Sequence, residues 1–223
     1  DYDLHRDFPR LKRMYATPYL LTTLDTYTPR IGDTGKTADP GMVQVNLDVT
    51  LEAFIRFGDP YFAQLAYKLN DNTVEGLHAD LFTKNPESVQ QGIQKIVEAQ
   101  GELELDSVNL NGYGLTVMRT GKDDRKRAAW VYYGRTGGHG HKDRLNYGMY
   151  YQGMDILPDL GYPEYADGKW PKRAGWTKNT ISHNTVTVNK RTQDINWIGH
   201  CRLHEASEGV AVVDIASPEI YPE

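Results

Sequence analysis

Three short segments in the second half of the chain carry residue types that can hold a metal ion or move a proton. They are Gly137–Asp143 with the sequence GGHGHKD, a stretch containing Asp159, and Ser182–Val188 with the sequence SHNTVTV. Two histidines that are two residues apart in an extended segment point to the same side, so His139 and His141 can enter one cleft together. A later aspartate and histidine could complete a metal site with them.

The residue types in these segments suit a zinc ion. Zinc accepts imidazole nitrogen and carboxylate oxygen in a tetrahedral shell, so His141, Asp159 and His183 with one water would satisfy it. Asp143 or Asn184 could orient a ligating imidazole through its second ring nitrogen. The alternative from spacing alone is that these histidines are hydrogen-bonded surface residues in loops, and both interpretations stay open at this point.

Strand parity adds a clue about His183. If Val186 and Val188 face the core of a strand, then His183 lies on the opposite face with Thr185 and Thr187. We therefore expect His183 to line a polar cleft. The glycines between and before His139 and His141 permit irregular backbone there, and they let a bulky ligand approach closely.

The first hundred residues are predicted to form a stack of short helices. Apolar residues between Leu47 and Gln100 recur at helical spacing. Asp59-Pro60 and Asn85-Pro86 each combine an N-cap residue with proline at the first helical position, which indicates two helix starts. Residues 8–26 are also predicted to be helical, and a turn-rich connection follows them.

The second half has the pattern of a β-sheet. Apolar residues alternate with polar ones, or form short runs, in five stretches: 113–117, 128–133, 145–151, 186–188 and 210–215. Gly121–Asp124 and Gly153–Asp155 are predicted hairpin loops. Helices followed by strands predict an α+β multidomain fold, with residues 1–103 as a helical domain and residues 104–223 as an antiparallel β domain.

Charge and composition exclude some classes of partner. The net charge is −5, with 25 Lys+Arg against 30 Asp+Glu, so no global positive field attracts nucleic acid or an anionic membrane. Mean hydropathy is −0.62 and no apolar run reaches the length of a membrane span. The single cysteine, Cys201, excludes an internal disulfide and fits a cytosolic or a periplasmic protein equally well.

The histidine segments resemble those of the heparinase II/III-like family of polysaccharide lyases, which includes the oligoalginate lyases. The matching segments are Gly138–Asn146 (GHGHKDRLN), Asp155–Tyr162 (DILPDLGY) and Ser182–Val188 (SHNTVTV). A weaker match, Pro29–Asp33 (PRIGD), resembles a connection late in the helical domain of that family. The order, spacing and predicted strand context of the segments all fit.

The resemblance implies a fold and a metal site. Residues 1–103 would be the C-terminal helices of an α/α toroid, and residues 104–223 the first part of an antiparallel β-sandwich. In such enzymes the matching residues bind a structural zinc, which here implies His141, Asp159 and His183.

The resemblance also implies catalytic residues. It places His139 in the catalytic cleft. Of the two tyrosines between the metal-set Asp and His, it favours Tyr165 over Tyr162 as a catalytic residue. The family has a further catalytic tyrosine, with an asparagine or histidine partner, earlier in the toroid. The chain begins at Asp1 with no initiator Met and no targeting segment, so we expect a processed or internal piece that holds half of an active site.

The implied reaction is β-elimination on an acidic polysaccharide or oligosaccharide, such as alginate or a glycosaminoglycan. A uronic acid residue loses its C5 proton, and the C4 glycosidic oxygen leaves to give an unsaturated uronate. The resemblance implies a periplasmic or secreted protein, and the sequence predicts no oligomeric state.

Two other functions remain open from the sequence. One is a non-catalytic carbohydrate-binding or scaffold fragment whose zinc only stabilises the sheet. The other is a metal-dependent hydrolase that uses the same histidines and aspartate with an activated water. Six basic residues near the histidine segments could meet sugar carboxylates, namely Arg135, Lys142, Arg144, Lys172, Arg173 and Lys178.

Overall fold

The structure is a computed structural model that describes residues 2–24, 27–35, 45–78, 82–135, 137–162, 173–194, 199–207 and 209–221. Within these ranges the chain divides into two compact units. The first comprises described residues of Asp1–Leu20 and Val43–Glu104, and the second those of Leu21–Met42 and Leu105–Glu223. The described part of Leu21–Met42 therefore groups with the strands and not with the helices that flank it in sequence.

Helices make up the regular structure of the first unit in its described residues. They are α1 (Leu4–Asp7), α2 (Lys12–Leu20), α3 (Leu47–Phe57), α4 (Pro60–Leu69) and α5 (Pro86–Gln100). The helix predicted for residues 8–26 ends at Leu20, because the chain turns there and Thr23 pairs with Tyr27 across an isolated bridge. Among the described residues, every helix is too short or too polar to cross a membrane.

The two predicted helix starts are confirmed. The Asp59 side chain accepts a hydrogen bond from the backbone N–H of Tyr61 at 2.9 Å, and Pro60 opens α4. The Asn85 side chain accepts one from Ser88 at 3.3 Å, and α5 likewise begins with a proline. Each cap satisfies a backbone donor that the first helical turn leaves without an intrahelical acceptor.

The apolar faces of α3, α4 and α5 form one core. Its buried members are Leu51, Ala63, Ala66, Leu77 and Ile93. None of the residues predicted to do chemistry belongs to this unit.

The second unit is built on antiparallel sheets. In the described residues, one sheet has five strands in the order β1 (Val108–Leu110), β2 (Leu115–Thr120), β3 (Arg127–Tyr132), β4 (Asn146–Tyr151) and β5 (Met154–Asp155). A separate two-stranded sheet pairs β6 (His200–Ser207) with β7 (Val210–Ala216). Helices together with antiparallel sheets confirm the predicted α+β class.

One face of the larger sheet carries the core of this unit. Its buried members on the sheet are Leu115, Val117, Trp130 and Tyr132. Ile31, from residues 27–35, packs against them. Gly148 on β4 lies opposite Trp130, and a Cβ at position 148 would lie 2.4 Å from the indole. The large ring therefore covers β4 only because the facing residue has no side chain. This packing fixes β4, whose first residue, Asn146, enters the candidate site.

Candidate active site

Three loops of the second unit meet at Asp33. They are residues 27–35, 137–141 and 159–162. The backbone N–H of Asp33 donates to the His139 carbonyl at 2.9 Å, and that of Tyr162 donates to the Gly35 carbonyl at 2.7 Å. Gly32 has a φ of 61°, and a Cβ there would lie 2.5 Å from the His139 carbonyl oxygen. Glycine at position 32 is thus what allows the first loop to approach the histidine segment so closely.

The two histidines of the first motif share the Asp33 carboxylate. Nδ1 of His139 lies 2.9 Å from Oδ2, and Nε2 of His141 lies 3.0 Å from Oδ1. The His139 side chain is 92% exposed, whereas that of His141 is fully buried. The extended segment predicted for these residues is wrong, because Gly140 donates to the Gly137 carbonyl and closes a turn in which His139 protrudes.

Asp33 is an ionised carboxylate with three side-chain partners. Arg173 also donates to its Oδ2, and the Arg173 guanidinium lies 4.5 Å from the centre of the Tyr162 ring. Burial alone would raise the pKa of Asp33, but the hydrogen bonds to His141, Arg173 and His139 outweigh burial and lower that pKa. The loop junction therefore holds an ionised carboxylate, paired with the Arg173 guanidinium, beneath the exposed imidazole.

Asp159 and His183 form a buried pair. Nδ1 of His183 lies 2.6 Å from Oδ2 of Asp159, which also accepts from Asn146 Nδ2 at 2.8 Å, and Oδ1 accepts from the Gly161 N–H at 3.0 Å. Burial opposes the charge on both groups, yet these hydrogen bonds lower the pKa of Asp159 and raise that of His183. The Asp159 carboxylate and the His183 imidazole thus stabilise each other's charged forms.

The structure brings together the three residues that the sequence assigned to a metal. His141, Asp159 and His183 each offer a ligand atom, and these atoms lie within 4.8 Å of one another. All three residues are buried, and the two imidazole rings are 5.2 Å apart. Nε2 of His183 is buried with no hydrogen-bond partner among the described residues. The set has the donor types of a zinc site with three protein ligands.

A further carboxylate lies beside this set. Asp143 is fully buried, and neither of its oxygens has a hydrogen-bond partner on another described residue. Burial raises the pKa of Asp143 to about 6, with the charge on His183 acting in the opposite direction. A buried carboxylate without hydrogen-bond donors needs nearby positive charge. This surplus of buried acidic groups suits the binding of a cation.

The predicted strand with Val186 and Val188 facing the core and His183 facing a polar cleft is wrong. His183 is 8% exposed, whereas Val186 and Val188 are 66% and 43% exposed, and the segment bends instead of forming a strand. Side-chain bonds to distant backbone replace a strand ladder here. The Asn184 N–H donates to Asn146 Oδ1 at 3.1 Å, and the Thr185 hydroxyl donates to the Arg144 carbonyl. These bonds turn the His183 side chain inward toward Asp159.

A buried glutamine holds the backbone between His141 and Asn146. The Gln193 side chain is fully buried, accepts from the Arg144 N–H at 2.7 Å and donates to the Arg144 carbonyl at 3.1 Å. Thr180 adds a bond from its hydroxyl to the Lys142 carbonyl at 2.7 Å. The path of this backbone is thus determined by side chains that lie far along the chain.

Replacing Gln193 with alanine is expected to lower the free energy of unfolding by about 2–3 kcal/mol, because the buried Arg144 N–H loses its acceptor. Urea unfolding of the purified protein measures the loss. The exposed Gln152→Ala variant in the turn after β4 is the matched control. Equal unfolding midpoints for the two variants would contradict the role given to Gln193.

The predicted catalytic tyrosine and the basic residues near the histidines are the other residues to locate in the structure. Tyr165 and Lys172 lie outside the described residues, so the catalytic assignment of Tyr165 stays a prediction. Arg144 is fully buried, and Lys178 Nζ donates to the Gly138 carbonyl at 3.0 Å. Lys178 therefore helps to hold the histidine loop, and the buried Arg144 is not accessible to a sugar carboxylate. Sequence reasoning missed the role of Asp33, although this residue closes the quoted PRIGD segment.

Comparison with known proteins gives a consistent set of matches. Residues 96–213 match the family model described as heparinase II/III-like, C-terminal. An exo-oligoalginate lyase of Saccharophagus degradans is 34% identical over 74 residues, which is 30% of this chain and 10% of that protein. An alginate lyase of Stenotrophomonas maltophilia is 27% identical over 100 residues, 38% of this chain and 13% of that protein.

Solved structures resemble nearly the whole chain. A heparinase III gene product aligns with a TM-score of 0.59 and 17% identity over 96% of this chain and 28% of its own. The heparan sulfate lyase HepC from Pedobacter heparinus aligns with a TM-score of 0.53 and 16% identity over 93% of this chain and 28% of its own. At these identities the likeness is one of fold. The chain spans under a third of these structures and about a tenth of the curated relatives.

Proposed function

Because the chain belongs to the heparinase II/III-like family, we propose that the protein is a polysaccharide lyase that cleaves a uronate-containing glycan by β-elimination. The observation that carries the proposal is an exposed imidazole, His139, held by the Asp33 carboxylate directly beside the buried His141. The names of the matched relatives, which include alginate lyases, a heparinase and a heparan sulfate lyase, support the choice of an acidic polysaccharide.

The reaction requires removal of a weakly acidic proton from carbon. A base takes the C5 proton, the released electron pair forms the C4–C5 double bond, and the C4–O bond breaks. The leaving oxygen then takes a proton from an acid. We assign the first transfer to Nε2 of His139, because Nδ1 of that ring is bonded to Asp33 and the side chain is exposed. Tyr165 is the sequence-based candidate for the acid.

Charge stabilisation is the second requirement. The uronate carboxylate must be neutralised while enolate-like charge develops on it. Arg173 is 15% exposed and already bonded to Asp33, so its charge offsets that of Asp33 beneath His139. This pairing keeps the junction from repelling an anionic sugar.

We further propose that His141, Asp159 and His183 hold a structural zinc ion. Zinc would supply positive charge to a cluster that contains the buried carboxylates of Asp143 and Asp159, and it would tie together the loops that carry its ligands. His183 would bind the ion as a neutral imidazole. The burial of all three ligands argues against the hydrolase, which needs an exposed position for water and substrate.

The proposal predicts the release of an unsaturated uronate that absorbs in the ultraviolet. We expect the full-length protein to raise the absorbance of at least one uronate polymer, tested across alginate and several glycosaminoglycans. Hydrolysis gives a saturated product without this absorbance, so new reducing ends are measured beside the absorbance, with and without chelator, and circular dichroism follows the fold. A lyase with structural zinc raises the absorbance and loses activity only as it unfolds, whereas a hydrolase forms reducing ends without absorbance and loses activity with the metal while still folded. No absorbance rise on any polymer would contradict the lyase proposal.

A further inference from the structure

We propose that Asp33 is a positioning residue that sets the orientation and tautomer of His139 and links this exposed imidazole to the buried His141. The inference rests on the proposed lyase function for its catalytic consequence. Its structural content, the proton position on the His139 ring, stands independently of that function.

The two carboxylate oxygens of Asp33 contact different partners. Oδ2 accepts from His139 Nδ1 and from Arg173, and Oδ1 lies 3.0 Å from His141 Nε2. The carboxylate is itself held in place, since the Asp33 N–H donates to the His139 carbonyl at 2.9 Å and only 9% of the side chain is exposed. The buried Asp33 carboxylate is therefore a fixed acceptor beneath the exposed His139 imidazole.

This arrangement selects one tautomer of each imidazole. Asp33 forms an ion pair with Arg173, and both oxygens of an ionised carboxylate can only accept, so they are acceptors toward all three partners. Nδ1 of His139 and Nε2 of His141 must then carry the hydrogens. A neutral His139 keeps its lone pair on Nε2, on the side of the ring away from Asp33. That is the nitrogen required to accept the C5 proton.

His139 depends on this one contact. Among the hydrogen bonds of the described residues, the bond to Asp33 is the only one that its ring makes, and the side chain is 92% exposed. Without the carboxylate, the ring would rotate freely and populate both tautomers. The Nε2 lone pair of His139 would then rarely point at the C5 proton, although other groups would still bind the substrate.

The same carboxylate orients His141. Histidines that bind metals usually donate their second ring N–H to a carboxylate, and Oδ1 of Asp33 takes this part for His141. Removing such a partner typically costs about 10–100-fold in metal affinity. We thus expect Asp33 to influence turnover strongly, through the contact of Oδ2 with His139. We expect it to influence metal affinity moderately, through the contact of Oδ1 with His141.

The variants Asp33→Ala and Asp33→Asn together separate positioning from simple structural support. Arg173 can only donate to the Oδ2 position, so the asparagine carbonyl must face Arg173 and His139 while its amide faces His141. Asp33→Asn therefore keeps an acceptor for His139 Nδ1, whereas Asp33→Ala removes it. The control is Asp214→Asn, an exposed aspartate paired with Arg202 at 3.1 Å in the same unit.

The test combines ring ¹⁵N NMR with kinetics on the full-length protein, and His139→Ala identifies the His139 signals. We expect hydrogen on Nδ1 in the wild type and in Asp33→Asn, and a mixture of both tautomers in Asp33→Ala. With a cleaved polymer, kcat of Asp33→Ala should fall about 100-fold or more while KM changes little. Asp214→Asn should match the wild type in both measurements.

Two results would overturn the inference. One is a wild-type His139 ring protonated on Nε2. The other is an Asp33→Ala variant with the tautomer and kcat of Asp214→Asn. If the wild type cleaves no polymer, the lyase proposal fails while the NMR result still decides the role of Asp33.

Discussion

Replacing His183 with alanine is expected to remove bound zinc and to lower the free energy of unfolding by about 3–5 kcal/mol, the typical cost of breaking a buried ion pair. His183 is bonded to Asp159 at 2.6 Å, and both side chains are fully buried. Among the described residues, the change leaves this buried carboxylate with only Asn146 and the Gly161 N–H as donors. Mass spectrometry of metal content and urea unfolding measure the two effects.

A second variant separates metal loss from damage to the fold. Asp159→Asn keeps the size of the side chain and an acceptor for the Gly161 N–H, but it lacks the charge that a cation requires. We expect it to lose zinc with a smaller loss of stability than His183→Ala. His200→Ala, an exposed histidine on β6, is the control for both variants. Zinc retained by His183→Ala would refute the ligand assignment.

Replacing His139 with alanine is expected to reduce turnover by about 10²–10⁴-fold while fold and metal content stay unchanged. The side chain is 92% exposed, so its removal should change the free energy of unfolding by no more than about 0.5 kcal/mol. Nothing in the buried metal set loses a contact, because His139 is bonded to Asp33 and not to a ligand. The ultraviolet assay and urea unfolding check both parts.

His139→Asn tests proton acceptance separately from the hydrogen bond to Asp33. The asparagine amide can donate to Asp33 from about the position of Nδ1, but it cannot accept a proton as imidazole does. We expect His139→Asn to be as inactive as His139→Ala, with wild-type stability. Activity retained in either variant would show that His139 is not the proton acceptor.

The parts of the fold that were correctly predicted depend on local signals. Asp59-Pro60 and Asn85-Pro86 specify helix starts through bonds within one helical turn. The change from helical to alternating spacing after about residue 104 is also local, and it predicts the α+β class. In both cases the decisive interactions join residues that are close in sequence.

The segment around His183 could not be predicted in this way. Its alternation of valine and threonine is typical of a strand, but Thr185 bonds to the Arg144 carbonyl and Asn184 to the Asn146 side chain. These contacts span about forty residues and decide the backbone path. Local propensity is a weak preference that such tertiary contacts override.

The candidate site illustrates the same limit. Asp33 is more than a hundred residues from His139 and His141, so no spacing rule connects them. The available signal was the glycine before Asp33, since Gly32 marks a place where another backbone comes close. The residue types of His141, Asp159 and His183 suggested a metal set but left it open, and the family resemblance that spans the three segments then favoured it.

In the proposed site, His141, Asp159 and His183 hold zinc while His139 acts on the substrate. Zinc content measured side by side in the wild type, His139→Ala and His183→Ala tests this assignment most directly. We predict that the wild type and His139→Ala carry equal, stoichiometric zinc and that His183→Ala carries almost none. Equal zinc loss in both variants would contradict the account.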